Sequence, residues 1–92
     1  FSQAANADLI GIWEYIACDS AEAAHRVITE IESEVQTLKI FPGMGHPRSE
    51  SPRRSYRFWK IYSYLLVYRV ERTTLVIVRI IDGRRDLKRA LK

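Results

Sequence analysis

The spacing of apolar residues changes period once along the chain, and that change constrains the fold more than any single motif. Up to Phe41 the rhythm is helical: Leu9, Ile12, Trp13 and Ile16 fall at i, i+3, i+4 and i+7, and Ala24, Val27, Ile28, Ile31, Val35 and Leu38 carry the same period over a longer span. The spacing predicts helices over residues 3–17 and over the second run, with Asp19 as the cap that accepts first-turn amides and Glu22 reaching back to it as a capping box. Phe41-Pro42-Gly43 ends the second helix. From Tyr56 onward the chain is aromatic and β-branched in short runs, residues 56–61, 63–71 and 75–81, which read as three consecutive antiparallel strands. Between the two regimes, residues 42–55 hold all three prolines and two of the four glycines, which is loop chemistry.

Helices segregated from strands predict an α+β domain, with an N-terminal antiparallel helical hairpin packed on a small antiparallel β-sheet. At 92 residues the chain has room for one core and one domain, spanning 1–92, and none for a large enclosed substrate cavity. The hydrophobic content of 47% is too high for a disordered chain, and no apolar run approaches the ~20 residues of a membrane helix. A single cysteine, Cys18, leaves no internal disulfide framework and no Cys-based zinc site, which fits a reducing compartment. No secretory leader pattern precedes the domain, although the chain begins at Phe1 without an initiator Met, and cytoplasm is the default location.

Charge divides the chain at the same place as the hydrophobic period. Residues 1–45 hold two basic and seven acidic side chains, a net of −5, whereas residues 46–92 hold thirteen basic and four acidic, a net of +9. A positive surface on the sheet, loop and tail suits an anionic partner, and attraction between the two halves accounts for the split equally well. Two short helices cover only one sheet face. The second face is therefore expected to stay open, apolar with charge at its rim, and to receive an apolar segment bearing acidic residues; a second copy or a preceding segment of the chain would also fill it. Which residues share that face depends on whether the turn near Arg72 has two or three loop residues, because a one-residue change inverts the pairing.

Other chemistries find little support. Ser49, Ser51 and Ser55 near His46 lie in a loop without the strand–turn–helix context of a hydrolase. His25 and His46 make no metal-ligand spacing, so no metal is expected, and Gly43-Met44-Gly45 runs into a proline-rich segment rather than a phosphate-cradling helix. The run from Arg53 to Lys60 mixes cations and aromatics as single-strand nucleic-acid platforms do, but strand alternation turns part of it into the core, and direct nucleic-acid binding is not expected.

A resemblance emerges when short matches are read in order: Ala7-Asp8-Leu9 with Ile12-Trp13 and Tyr15-Ile16, Ala23-Ala24, Phe41-Pro42-Gly43-Met44-Gly45, the segment from Tyr64 to Val70, Val78-Arg79-Ile80 and the closing Gly83-Arg84-Arg85-Asp86. Together they resemble the RelE/ParE superfamily of bacterial toxin–antitoxin toxins, and the closing segment looks most like the ParE branch, where a His commonly precedes Gly-Arg-Arg-Asp; here that position is Asp82. The family opens with a strand before the first helix, so Phe1-Ser2 resembles the end of a strand placed next to the C-terminal ones, most of it missing from this sequence.

The resemblance implies a growth-inhibiting toxin that poisons DNA gyrase, forms a hetero-oligomer with a cognate ParD-like or other antitoxin, spans no membrane and uses no cofactor. RelE-type ribosome-dependent mRNA cleavage is the alternative, but no Tyr or His follows Tyr68 where such enzymes commonly place an acid/base residue, so no catalytic residue is assigned. On these grounds Trp13, Leu65, Val67, Arg69, Ile77 and Arg79 are candidates for antitoxin binding, Trp13 belonging mainly to the core stripe. Arg57, Lys60, Arg84, Arg85 and Asp86 are candidates for contact with the target.

Overall fold

In the computed structural model, which describes residues 1–91, Ser2 opens the first helix, α1 (Gln3–Ala17). Its hydroxyl accepts from the Ala5 amide at 3.0 Å and donates to the Val78 carbonyl at 2.7 Å, while its own amide donates to the Ile77 carbonyl at 2.8 Å. One residue thus caps the helix and ties it to the last strand. Phe1-Ser2 lies beside that strand, on the side where the resemblance puts an opening strand.

The second helix, α2 (Ala21–Ile40), is capped one residue later than the spacing predicts. The cap is Ser20, whose hydroxyl accepts from the Ala23 amide at 3.1 Å. Asp19 still belongs to the closing turn of α1: the amides of Asp19 and Ser20 both donate to the Ile16 carbonyl at 3.0 Å. Glu22 is then out of register for a capping box. Ala5 and Ile12 from α1 pack with Ile31, Val35 and Leu38 from α2 over one face of the sheet. Trp13 leaves the stripe and remains 44% exposed.

The sheet runs β1 (Arg57–Ile61), β2 (Tyr64–Glu71), β3 (Thr74–Asp82) in that spatial order, antiparallel throughout. Ile61 pairs with Tyr64 and Glu71 with Thr74, so both hairpin turns hold two loop residues, and Tyr62 and Arg72 adopt positive φ of 55° and 54°. The register then slips: Val67 pairs with Arg79 but Tyr68 pairs with Ile77, leaving Val78 as an extra residue. Because of this bulge, Ile77 and Ile80 both point under the helices, where strict alternation would separate them. Ile77, 1% exposed, is core, not a residue of an open second face.

Nor is the second face open. A four-residue helix, α3 (Leu87–Ala90), folds back so that Leu87, Ala90 and Leu91 cover Tyr56, Phe58, Leu65, Val67 and Ile81. Leu65 and Val67 are 2% and 0% exposed, so the chain itself occupies the face that composition leaves to a partner. The segment after β3 is too short and too charged to announce this by periodicity. Asp86 begins α3, accepting from the Lys88 amide at 3.0 Å.

The loop between α2 and β1 is pinned from inside the core. The buried Tyr68 phenol donates to the Pro42 carbonyl at 2.6 Å and accepts from the Gly45 amide at 2.9 Å. A Cβ at Gly45 would overlap the phenol oxygen and lie 2.6 Å from Tyr68 Cε1. Gly45→Ala should therefore destabilise the fold by about 1–3 kcal/mol, the usual cost of overpacking. Chemical denaturation checks it, and a shift under about 0.5 kcal/mol would show that the loop yields freely.

Candidate functional site

The β1–β2 turn, the end of β3 and the middle of α1 meet at one corner. Register puts Tyr64 opposite Asp82, and the Gly83 amide donates to the Ser63 carbonyl at 2.8 Å, extending the ladder one step beyond the paired strands. A side chain at Gly83 would press on that carbonyl, with an added Cβ only 3.1 Å away. Asp82 then organises the next turn. Its Oδ1 accepts from the Arg84 amide at 2.9 Å and from Arg84 Nε at 3.2 Å, and its Oδ2 accepts from an Arg84 terminal nitrogen at 3.0 Å. Arg84 is nonetheless 87% exposed, a guanidinium held in position at the surface.

Two clefts open on either side of Arg84 and Ser63. The larger, about 430 Å³, lies between α1 and the sheet, with Gly11, Tyr15 and Tyr64 around it, Ile12 and Ile80 supplying apolar wall, and Arg85 at its rim. Gly11 makes the opening: an added Cβ there would meet nothing within 4 Å. The smaller, about 280 Å³, is lined by Arg48, Lys60, Ser63, Leu65, Gly83 and Arg84. Arg48 arrives from the loop because His46 bridges to Phe58 of β1, and its guanidinium sits over the Phe58 ring at 5.9 Å.

Hydrogen bonds from the Arg84 side chain, then from its amide, lower the Asp82 carboxyl from its ordinary 3.8 to about 2. Burial, then the Asp82 charge, raises the Tyr64 phenol above its ordinary 10.0. A carboxyl pulled down loses its charge, and with it the grip on Arg84, only as pH falls through about 2; a phenol pushed up stays neutral beyond pH 10. Activity or binding at this corner should therefore be flat from roughly pH 5 to 9. A bell-shaped profile centred in that range, measured at constant ionic strength, would reject this.

The expected target residues divide. Lys60, Arg84 and Arg85 converge on the corner. Arg57 does not: its Nε donates to the Gly45 carbonyl at 3.1 Å and stiffens the loop. Asp86 is engaged as the α3 cap. Of the residues expected to bind an antitoxin, Leu65, Val67 and Ile77 are buried. Arg69 pairs with Glu71 at 2.8 Å, and Trp13 stands half-exposed on α1. Arg79 is engaged within the fold. It donates to both Asp8 carboxylate oxygens at 2.7 and 3.0 Å and to the Ala90 carbonyl at 3.0 Å, and the hydrogen bonds to Asp8 raise its pKa.

Sequence reasoning missed Gly11, Tyr15, Arg48, Tyr64 and Asp82. Gly11 carried a signal, because a glycine in the middle of a helix costs about 1 kcal/mol relative to alanine and calls for a reason. Arg48 carried none, since only the loop's pairing with β1 brings it in. Among the described residues no three His, Cys, Asp or Glu side chains gather as a metal site, and no helix is long and apolar enough to cross a membrane.

Comparison with known proteins agrees with the fold. A family model described as the ParE toxin of the type II toxin–antitoxin system parDE matches residues 1–87. Toxin ParE3 of Caulobacter vibrioides is 32% identical over 69 residues, covering 75% of this chain and 68% of that protein. A solved chain from the chromosomal ParDE toxin–antitoxin system of P. aeruginosa superposes with a TM-score of 0.73 at 24% identity, covering 88% of this chain and 89% of its own, which is likeness of fold.

Proposed function

The chain belongs to the ParE family of type II toxin–antitoxin toxins, and on that premise we propose that it inhibits growth by poisoning DNA gyrase and is neutralised by a cognate antitoxin. The observation that supports this reading most is the convergence of Arg48, Lys60, Arg84 and Arg85 on one solvent-open corner. Such a corner is built to bind a larger anionic or polar surface. Its clefts are small, and the proton-transfer groups that line them are two carboxylates, Asp8 and Asp82, already committed to Arg79 and Arg84, and the phenols of Tyr15 and Tyr64. Cleaving RNA would require a base free to take a proton from the ribose 2′-hydroxyl. Neither histidine lines either cleft.

Purified protein added to gyrase supercoiling and cleavage assays is expected to accumulate cleaved DNA, with reversal on adding its cognate antitoxin. Codon-dependent mRNA cuts in a translating-ribosome assay, with gyrase unaffected, would overturn the reading in favour of the ribonuclease alternative.

A further inference from the structure

We propose that the outward side of the sheet's second face, the layer formed by α3 and the loop before β1, binds the phosphate backbone of duplex DNA. Strand alternation alone does not lead one to expect a direct nucleic-acid contact; it follows from how the fold layers its charge. The contact is a property of this chain and does not depend on which enzyme the toxin acts on.

The two charge regimes of the chain separate in space as they do in sequence: the net −5 of residues 1–45 lies mostly on the helical side of the sheet, and the +9 of residues 46–92 lies on the sheet and behind it. On the outer side Leu87, Ala90 and Leu91 face inward at i, i+3 and i+4, which turns Lys88 and Arg89 to solvent. Arg53 sits over the Tyr56 ring at 6.0 Å, as Arg48 does over Phe58, so two guanidinium groups are held above rings of the layer beneath. The cleft of Arg48, Lys60 and Arg84 lies beside Leu65 of β2, and a second hollow, lined by Arg53, Ser55 and Tyr56, lies beside Arg69. Four residues of strand separate them by roughly 14 Å, about four steps of the ~3.4 Å phosphate spacing along one strand of a duplex. None of Arg48, Arg53, Lys60, Lys88 and Arg89 takes part in an ion pair among the described residues. Most carboxylates of residues 46–92 are engaged, Glu71 with Arg69, Asp82 with Arg84 and Asp86 as the α3 cap, which leaves Glu50 in the loop.

The partner follows from what this layer lacks. Tyr56 and Phe58 are 8% and 3% exposed beneath the arginines, and Tyr62 at the β1–β2 turn is one exposed ring, too few for a platform on which unpaired bases stack. A protein partner would draw most of its affinity from apolar or aromatic anchors. The exposed ones, Phe1, Ile10, Trp13, Tyr15, Ile40 and Phe41, belong to the helical layer, and the sheet side offers Tyr62 and Val70 near its strand ends. Cations without anchors or stacking rings suit a duplex backbone, whose binding is driven by charge and released counterions. The acidic helices face away and would orient the chain on DNA. Because the apolar anchors and the cations occupy opposite sides, a protein partner and DNA can be held at once.

Fluorescence anisotropy of a labelled DNA duplex titrated with the purified chain tests this. Wild type is expected to bind with a Kd of roughly 1–100 µM near physiological salt, and log Kd should rise with log salt at a slope of roughly 3.5–5.5, the mark of four to six phosphate contacts. The triple variant Arg53→Gln/Lys88→Gln/Arg89→Gln should weaken binding at least about tenfold and lower that slope by roughly 2–3. All three side chains are exposed, so its melting curve should match wild type. Lys88→Gln/Arg89→Gln, which keeps Arg53 over Tyr56, should fall between the two. Ile10→Ser/Ile40→Ser, on the helical layer, should bind DNA as wild type does. A wild-type Kd above about 100 µM, a smaller loss than tenfold in the triple variant, or an equal loss in the helical-layer variant would each overturn the proposal. So would polyglutamate of matched charge displacing the label at lower concentration than unlabelled duplex, which would assign the layer to an acidic protein, or a single strand of the same sequence binding more tightly than the duplex.

Discussion

Asp8→Ala should destabilise the protein by about 2–4 kcal/mol and lower its melting temperature by roughly 10–20 °C. Asp8 accepts three hydrogen bonds from β3: two from the Arg79 guanidinium and one from the Ile80 amide. Removing the carboxylate strands a guanidinium that is 25% exposed and leaves the edge amide unpaired. Breaking a fully buried pair from one side costs about 3–5 kcal/mol; with Asp8 itself 17% exposed, solvent screening brings the expected value down and the lost amide bond brings part of it back. Arg79→Met in the same background should recover part of the loss, because the unpaired charge goes with it. The double-mutant cycle, read by urea denaturation, should show a coupling above about 1 kcal/mol. A single-variant cost under about 1 kcal/mol would mean that α1 is held to the sheet by apolar packing alone. Asp8→Asn should cost less than Asp8→Ala, since its amide oxygen, standing in the place of Oδ2, can still accept two of the three bonds.

This ion pair also marks where the fold was legible in the sequence and where it was not. The change of hydrophobic period at Phe41–Tyr56 announces two helices followed by three strands because those periods are local properties of the backbone. The bulge at Val78 is not local. It depends on how Val67 and Tyr68 of β2 meet β3, and it carries Ile77 under the helices. α3 escaped notice for a related reason: four residues are too few to establish a period, and Leu87, Ala90 and Leu91 reveal their role only when laid over Leu65 and Val67. At the site, Arg84 and Arg85 stood out as a motif after the last strand, and Lys60 as a cation in a strand. Arg48 became part of the corner through His46 pairing with Phe58, and Asp82 through a turn that folds Arg84 back onto its carboxylate. The first depends on a contact between segments that sequence spacing does not encode, and the second on the conformation of a local turn spanning two residues.

Reversing two charges at that corner should have the largest effect on activity. Arg48, Lys60, Arg84 and Arg85 with Asp82 make a group of four cations and one carboxylate; Arg84→Glu with Arg85→Glu turns it into two cations and three carboxylates. A surface that attracted an anionic or acidic partner then repels it, and like charges set against each other cost more than the lost attraction alone. Gyrase-dependent DNA cleavage is expected to fall at least about a hundredfold, and growth inhibition to disappear. Stability should hardly move, because the Arg84 side chain is 87% exposed and Asp82 keeps its bond from the residue-84 amide. That separation makes the experiment decisive: an unchanged melting curve with lost activity assigns the loss to the contact. Raising ionic strength should weaken the wild type in the same direction, since solvent-exposed cations are screened within about 8–10 Å at physiological salt. Asp82→Asn tests the other half of the arrangement. It leaves all four cations in place and removes the carboxylate that orients Arg84, so a smaller loss, of a few-fold, is expected if orientation matters as well as charge. Full toxicity in the doubly reversed variant, with its melting curve intact, would remove Arg84 and Arg85 from the target contact and move the search to Arg48 and Lys60.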